Sequence, residues 1–378
     1  MIALLLVSGP GGRALAQPLV ARLQVVGGLA DVRLYDQYER PFWRDILPQL
    51  TNGRLQADIV PFDSSGIRGQ DMLRLMRLGV VSFGTVQLGL AGTDEPELDA
   101  PNLAMLAPEV GSMRRVVQAY RPRLTQILKD RYGIELLSVY AYPAQVLFCK
   151  EPLDGLEGIK GRRVRVSSSS QLDVVRALGG LPILTSFAAI MGEIRERRVD
   201  CAITGSLSGN HLGLHKLTRE IHPMGISWGL SIFGVNMAAW AALPADLQQI
   251  LRRGLGRLEL DVWAAAGQDT EEGFLCNAGR PDCRSGTPGD MIWEPITPRD
   301  EAVRQRLLEN TVLPTWIDRC GEDCRLSWNT YLAPMTGIVI QPRMPPRNGG
   351  PRQVGSEMPT GGPPASITAP ASSSTSSR

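Results

Sequence analysis

The stretch from 159 to 204 constrains this chain more than any other. IKGRRVRV at 159–166, a Ser-rich run, GGLPILTSF and RERRVDCAITG follow one another there. The pattern reads strand, helix, strand, helix, strand. The loops after the first and last strands offer polar groups to a cleft, as open α/β sheets do at the carboxyl ends of their strands.

The chain has room for more than one such unit. Its 378 residues suit two domains of ordinary size, and 43% apolar residues can fill a core in each. Forty basic residues against thirty-eight acidic ones leave a formal charge of +2, with no long Lys/Arg run. Nucleic acid and acidic membrane surfaces are therefore excluded as default partners.

The six cysteines fall into groups. Cys276 and Cys283 bracket NAGRPD, and Cys320 and Cys324 bracket GED, both loop-forming intervals. Two local disulfides are expected from these four, which places the chain in an oxidising compartment. Cys149 in LFCK and Cys201 in VDCAIT lie in apolar strand-like runs and read as small buried hydrophobes. No zinc pattern is present, because the spacings do not form CxxC pairs and the loops hold no His.

The N-terminus supports two readings. IALLLV followed by Ala14-Leu15-Ala16 resembles the end of an export signal, making 1–16 a partial signal peptide that lacks its basic start. Alternatively, Ile2 to Ser8 is a strand, residues 9–14 form a GxGxxA turn, and Asp36 ends the next strand. That arrangement would serve a cytoplasmic nucleotide-dependent enzyme. Pro10 in the turn and VVGG at 25–28 in the proposed helix both oppose it.

From residue 30 onward α and β patterns alternate. VRLYDQY is expected as a strand, RPFWRDILPQL as a helix, LQADIVPF as a strand, GQDMLRLMRLG as a helix and VVSFGTVQ as a strand. An Arg-studded helix spans 114–131, and the strands ELLSVYAYP and AQVLFCK lead toward a second lobe. After Pro244 a helix of roughly thirty residues would reach about 45 Å, enough to span both lobes. MIWEPI reads as a late strand and 298–337 as helices. The expected division is 30–144 plus 237–270 for lobe I and 145–236 plus 271–338 for lobe II. In the tail, 341–378, Pro, Gly and Ser make up twenty of thirty-eight residues, a composition that cannot bury enough apolar surface to order itself.

Several blocks, taken in order, resemble the solute-binding proteins of TRAP transporters, the C4-dicarboxylate-binding (DctP-type) family. YERPFWRDILPQLTNGRLQADIVPFDSSGIRGQDMLRLMRLGVVSFG is similar to the family's opening. IKGRRVRV is similar to its Leu-Lys-Gly-x-Lys-x-Arg-Val line, RRVDCAIT to the stretch ending Val-Asp-Gly, and WAALPADLQQI to its Trp-x-x-Leu-Pro helix start. The likeness covers about residues 30 to 338. It implies an α/β, two-lobed periplasmic binding protein, a type II-like clamshell with a long helix spanning both lobes. It also implies a carboxylate ligand, membrane permease partners, no cofactor and no catalysis. A binding protein that reports to a sensor kinase would carry the same motifs.

The resemblance places the family's ligand-binding arginine at Arg165, which can pair with a carboxylate through a planar fork that Lys lacks. The competing role for Arg165 is a structural pair with an acidic side chain. Thr204 and Gly205 end the strand VDCAIT, Gln145 and Gln87 end strands across the cleft, and Phe187 and Trp228 are candidate apolar walls. The chain departs from the family at Ala189, Cys201 and Thr204, where Glu, Gly and Asn are common. It also has Tyr142-Pro-Ala-Gln145 where many members carry a second basic residue. A monocarboxylate or less charged acid fits these positions at least as well as a C4-dicarboxylate.

Catalytic and metal motifs are missing. GSLSG at 205–209 centres on Leu207 rather than Ser, and no Glu follows His211 toward His215 as a zincin would require.

Overall fold

The computed structural model describes residues 20–342. The expected export signal at 1–16, the GxGxxA turn at 9–14 and the tail beyond 342 lie outside the described residues.

Ten strands form two five-stranded sheets. The first sheet takes β1 (Ala21–Gly27), β2 (Leu55–Pro61), β3 (Phe83–Gln87), β4 (Ile134–Tyr140) and β10 (Ser231–Asn236), in the order β2-β1-β3-β10-β4. The second takes β5 (Gln145–Cys149), β6 (Arg163–Val166), β7 (Leu181–Leu184), β8 (Cys201–Gly205) and β9 (Glu220–Ser227), in the order β7-β6-β8-β5-β9. In each sheet four strands run in one direction, and the fifth, β10 in the first and β5 in the second, runs antiparallel between two of them. The second sheet is built from consecutive strands, whereas β10 returns to the first sheet after the second is complete. The chain therefore crosses between lobes at residues 141–144 and again at 228–230.

The second crossing lies earlier than the expected boundary near 236. LSIFGVN pairs with β3 and β4, so it belongs to lobe I. The third connection is the helix Ala245–Asn277, which packs on β4 of one sheet and on β9 and the helix Ser206–Leu212 of the other. The C-terminal helices also differ from the expected assignment to lobe II alone. Trp316 Nε1 donates to Pro96 O at 2.7 Å in lobe I, while Thr315 Oγ1 donates to Asp173 in lobe II at 2.9 Å.

The block from 159 to 204 folds as read: β6, the helix Ser169–Ala177, β7, the helix Ile190–Arg195 and β8. Val164, Val166, Val174, Val175, Ile190, Ile194 and Ile203 supply its buried faces. Three other expectations are corrected. VRLYDQY is helical, in wide turns at Leu34–Glu39 and Phe42–Ile46 that continue into Leu47–Leu50. Its buried positions Val32, Tyr35, Glu39, Phe42, Trp43 and Leu47 recur every three or four residues, a helical period that overrides the short alternation at Val32 and Leu34. Asp36 thus sits on a helix, which removes the strand end that the nucleotide-binding reading required. MIWEPI makes only a single bridge, Ile292 to Glu220.

Cys149 and Cys201 are joined in a disulfide rather than buried as free thiols. Strands β5 and β8 set the two residues directly opposite each other, with Cα atoms 4.1 Å apart. The two local pairs, Cys276–Cys283 and Cys320–Cys324, are bridged as well.

Candidate functional site

Between the lobes lies a cleft of about 440 Å³. It is floored by the ends of β6 and β8 and the start of β5, and roofed by the 62–70 loop and the end of β3. Arg165, Thr204, Gly205, Gln145, Gln87 and Phe187, separated by up to 118 positions in sequence, all line it.

Trp228 does not line it. Its ring is fully buried in the core and its Nε1 donates to Ala107 O at 2.8 Å. The crossing strand presents Gly229 and Leu230 to the cleft instead. Trp228 is therefore corrected from ligand wall to core.

Arg165 is buried, with 3% exposure, and no carboxylate reaches it. Nε and Nη2 donate to Thr185 O at 3.1 and 3.0 Å, and Nη1 donates to Ile203 O at 2.7 Å. Three of its five N–H groups are thereby engaged, leaving one hydrogen on each Nη. Burial without an anion pulls the guanidinium down to about 9, so it still carries its charge at neutral pH. Arg163, two residues earlier, shows the other arrangement: it makes a two-pronged pair with Asp200, at 3.0 and 2.7 Å. The expected structural alternative for Arg165, an acidic partner, is thus found at Arg163.

Other cleft residues went unread in the sequence. Tyr142, on the first crossing, accepts from Leu29 N at 3.4 Å through its hydroxyl. Burial, followed by the nearby Glu39, raises that phenol well above its ordinary range, so it is a neutral donor. Ser168 caps the helix Ser169–Ala177 by accepting from Gln171 N. The Ser run before that helix was the signal for it. Asn102, fixed by Leu230 N donating to its Oδ1 at 3.1 Å, comes from a loop with no distinguishing motif.

Behind the cleft, Glu39 is fully buried with no cation beside it. Its oxygens accept from Gly28 N at 2.7 Å and Thr85 Oγ1 at 2.9 Å, and burial pushes its carboxyl up to about 7. The histidines do not converge. His211 meets Ser285 O, His215 meets Asn210, and His222 meets Asp300. Among the described residues, the cluster with metal-ligand spacing is Glu272, Cys276 and Cys283, and its two sulfurs are tied in a disulfide.

Two α/β lobes joined by three chain connections, with a cleft between them that holds a buried guanidinium, have the architecture of a solute-binding receptor. The model of the bacterial extracellular solute-binding proteins, family 7, matches residues 39–273, and the chain belongs to that family.

Solved TRAP solute receptors share its fold. A Bordetella pertussis extracytoplasmic solute receptor binding pyroglutamic acid, DctP7, superposes with a TM-score of 0.73 at 22% identity, covering 82% of this chain and 99% of that one. A Desulfovibrio salexigens TRAP periplasmic solute-binding protein with bound orotic acid gives 0.72 at 15% identity, over 82% and 97%. The ligands of these neighbours are not confined to C4-dicarboxylates. An outer membrane transporter protein, TsaT, from Comamonas testosteroni is 26% identical over 210 residues, 53% of this chain. The match spans 60% of that relative's length.

Proposed function

We propose that this protein is the periplasmic receptor of a TRAP transporter, capturing an organic acid in the interlobe cleft and delivering it to membrane permease subunits. The observation that carries the reading is Arg165: a buried guanidinium lining the cleft, held by two backbone carbonyls, with one hydrogen on each Nη unused and no protein carboxylate in reach. A ligand carboxylate completes that arrangement and offsets the desolvation of the cation. Thr204, Gly205, Gln87 and Phe187 complete the enclosure, and closure of the lobes around the acid follows from the crossings at 141–144 and 228–230.

Three disulfides are consistent with export to an oxidising compartment. Among the described residues no helix is long and apolar enough to cross a membrane. The pyroglutamate and orotate receptors that share the fold make small carboxylates the first ligands to try.

The test is a thermal-shift screen of purified protein against organic acids, followed by calorimetric titration. Acids are expected to raise the melting temperature of the parent but not of Arg165→Ala. An acid that stabilises both equally would overturn the assignment of Arg165, and failure of every acid to bind would overturn the receptor reading.

A further inference from the structure

A closed chain of hydrogen bonds fixes which end of Gln145 faces the ligand. The backbone N–H of Ser167 donates to Gln171 Oε1 at 2.8 Å, and a backbone N–H can only donate. That contact identifies Oε1 as the acceptor end of Gln171, so its Nε2 is the donor. Nε2 gives its two hydrogens to Ser227 Oγ at 2.8 Å and to Gln145 Oε1. Ser227 Oγ, accepting from Gln171, passes its own hydrogen to Gln145 Oε1 at 2.8 Å. The carbonyl end of Gln145 is thus turned into the protein by residues from the Ser169–Ala177 helix and β9. Its Nε2 hydrogens are left on the cleft side, beside Gly229, with no acceptor among the described residues.

We propose that Gln145 is a specificity-determining contact, a one-way donor held by Gln171 and Ser227 as positioning residues. It selects monocarboxylates whose second polar group is a neutral acceptor, such as a ketone, amide carbonyl or hydroxyl oxygen. The inference rests on the organic-acid reading above and adds the chemistry of the ligand's other end.

Three features of the cleft agree. Asn102 is oriented by the same logic, with Leu230 N on its Oδ1, so its Nδ2 is also a donor end, giving one hydrogen to Asp99 at 2.9 Å. The carboxylate in the lining, Asp63, already accepts from Ala30 N at 3.0 Å, and the cation besides Arg165, Arg68, pairs with Asp71 at 2.8 Å. Beside Gln145 and Asn102 a ligand ammonium meets donor ends, and a second carboxylate would be desolvated against neutral amides. A plain alkyl chain leaves Gln145 Nε2 unpaired, which costs affinity.

The test compares matched acids by calorimetric titration of the full chain: 4-oxopentanoate against pentanoate and glutarate, and 3-oxocyclopentanecarboxylate against cyclopentanecarboxylate and proline. In the parent the oxo acid of each set is expected to bind on the order of tenfold tighter than its companions. Gln145→Met, close in shape but without a donor, should erase that ratio. Gln171→Met keeps the Gln145 donor but frees it to rotate, and should reduce the ratio by a smaller factor. A purely structural role would instead weaken every acid equally and leave the ratio intact.

Acids that bind through Arg165 with a ratio unchanged in Gln145→Met would sink this proposal alone. So would tightest binding of glutarate or proline by the parent. Absence of binding by every acid would sink the receptor reading together with it.

Discussion

Cys149 and Cys201 face each other across β5 and β8, joined by a disulfide that closes a 52-residue separation in the middle of lobe II. Both residues are fully buried, and β5 is the antiparallel strand of its sheet, set between β8 and β9 directly after the first crossing. The bridge therefore ties the strand that follows the crossing to the parallel part of its sheet. For a loop of this length the chain-entropy model gives about 4 kcal/mol, and measured bridges give roughly 2–4. The Cys149→Ala/Cys201→Ala double variant should lose stability in that range by urea unfolding. In limited reduction followed by alkylation and mass spectrometry, the bridges with a half-buried sulfur, at Cys283 and Cys320, should open first. Equal stability of parent and double variant would show that the strand is held by packing alone.

Arg165→Lys separates charge from geometry. A lysine ammonium is a point donor that cannot satisfy Thr185 O and Ile203 O while also presenting a fork to the ligand. Ligand-induced stabilisation should disappear as it does in Arg165→Ala. The ligand-free protein should be destabilised by about 1–3 kcal/mol, because a buried carbonyl is left without its donor. Retained ligand stabilisation in the Lys variant would mean that charge alone recruits the acid.

Lobe II was legible in the sequence because its elements are local: β6, two helices, β7 and β8 follow within one continuous stretch, each with its own period. What stayed hidden depends on pairings distant in sequence. The exchange of β10 into the first sheet shifted the crossing from 236 to 228–230, and the opposition of Cys149 and Cys201 follows from β5 joining β8. The helical identity of VRLYDQY was masked because two apolar residues at alternate positions outweighed a period visible only when read on to Leu47.

The same limit applies to the cleft. Strand ends marked Arg165, Thr204, Gly205, Gln145 and Gln87, whereas Tyr142, Asn102 and the Gln171–Ser227 network depend on side chains meeting across elements. Trp228 was misread because an aromatic beside a hinge glycine looks the same in sequence whether it faces a ligand or the core.

Glu39 makes stability depend on pH. Its carboxyl is raised from 4.5 to about 7 in the folded protein, so between those values the folded state holds a proton that the unfolded chain has released. The stabilisation is complete below about pH 4.5, declines as pH rises and is gone above about pH 7. Glu39 alone accounts for about 3 kcal/mol across that window. Asp99, raised to about 7, and Asp269, raised to about 6, act in the same direction. Glu39→Gln should flatten the profile, and the difference between parent and variant from pH 4.5 to 7.5 isolates this one group. A constant difference would show that Glu39 stays charged inside the fold.

Gly229 joins the second crossing to the proposed specificity contact. Its φ of +56° lies in the left-handed region, and a Cβ placed there would lie 2.7 Å from Gln145 Nε2. Gly229→Ala therefore has two consequences. The backbone penalty, about 1–2 kcal/mol for an L-residue in that conformation, should lower the melting temperature of the ligand-free protein. The methyl group should also push the Gln145 amide out of line with its acceptor. A variant that meets no such contact serves as the control: Ala238→Gly, exposed in the helix Met237–Ala241 after β10, should weaken stability by about 1 kcal/mol through helix propensity without altering ligand preference. If Gly229→Ala lowers stability but leaves the preference for oxo acids at its parent value, the hinge glycine serves the backbone alone. If both change together, the residue that lets the chain cross between lobes also leaves room for the donor that reads the ligand.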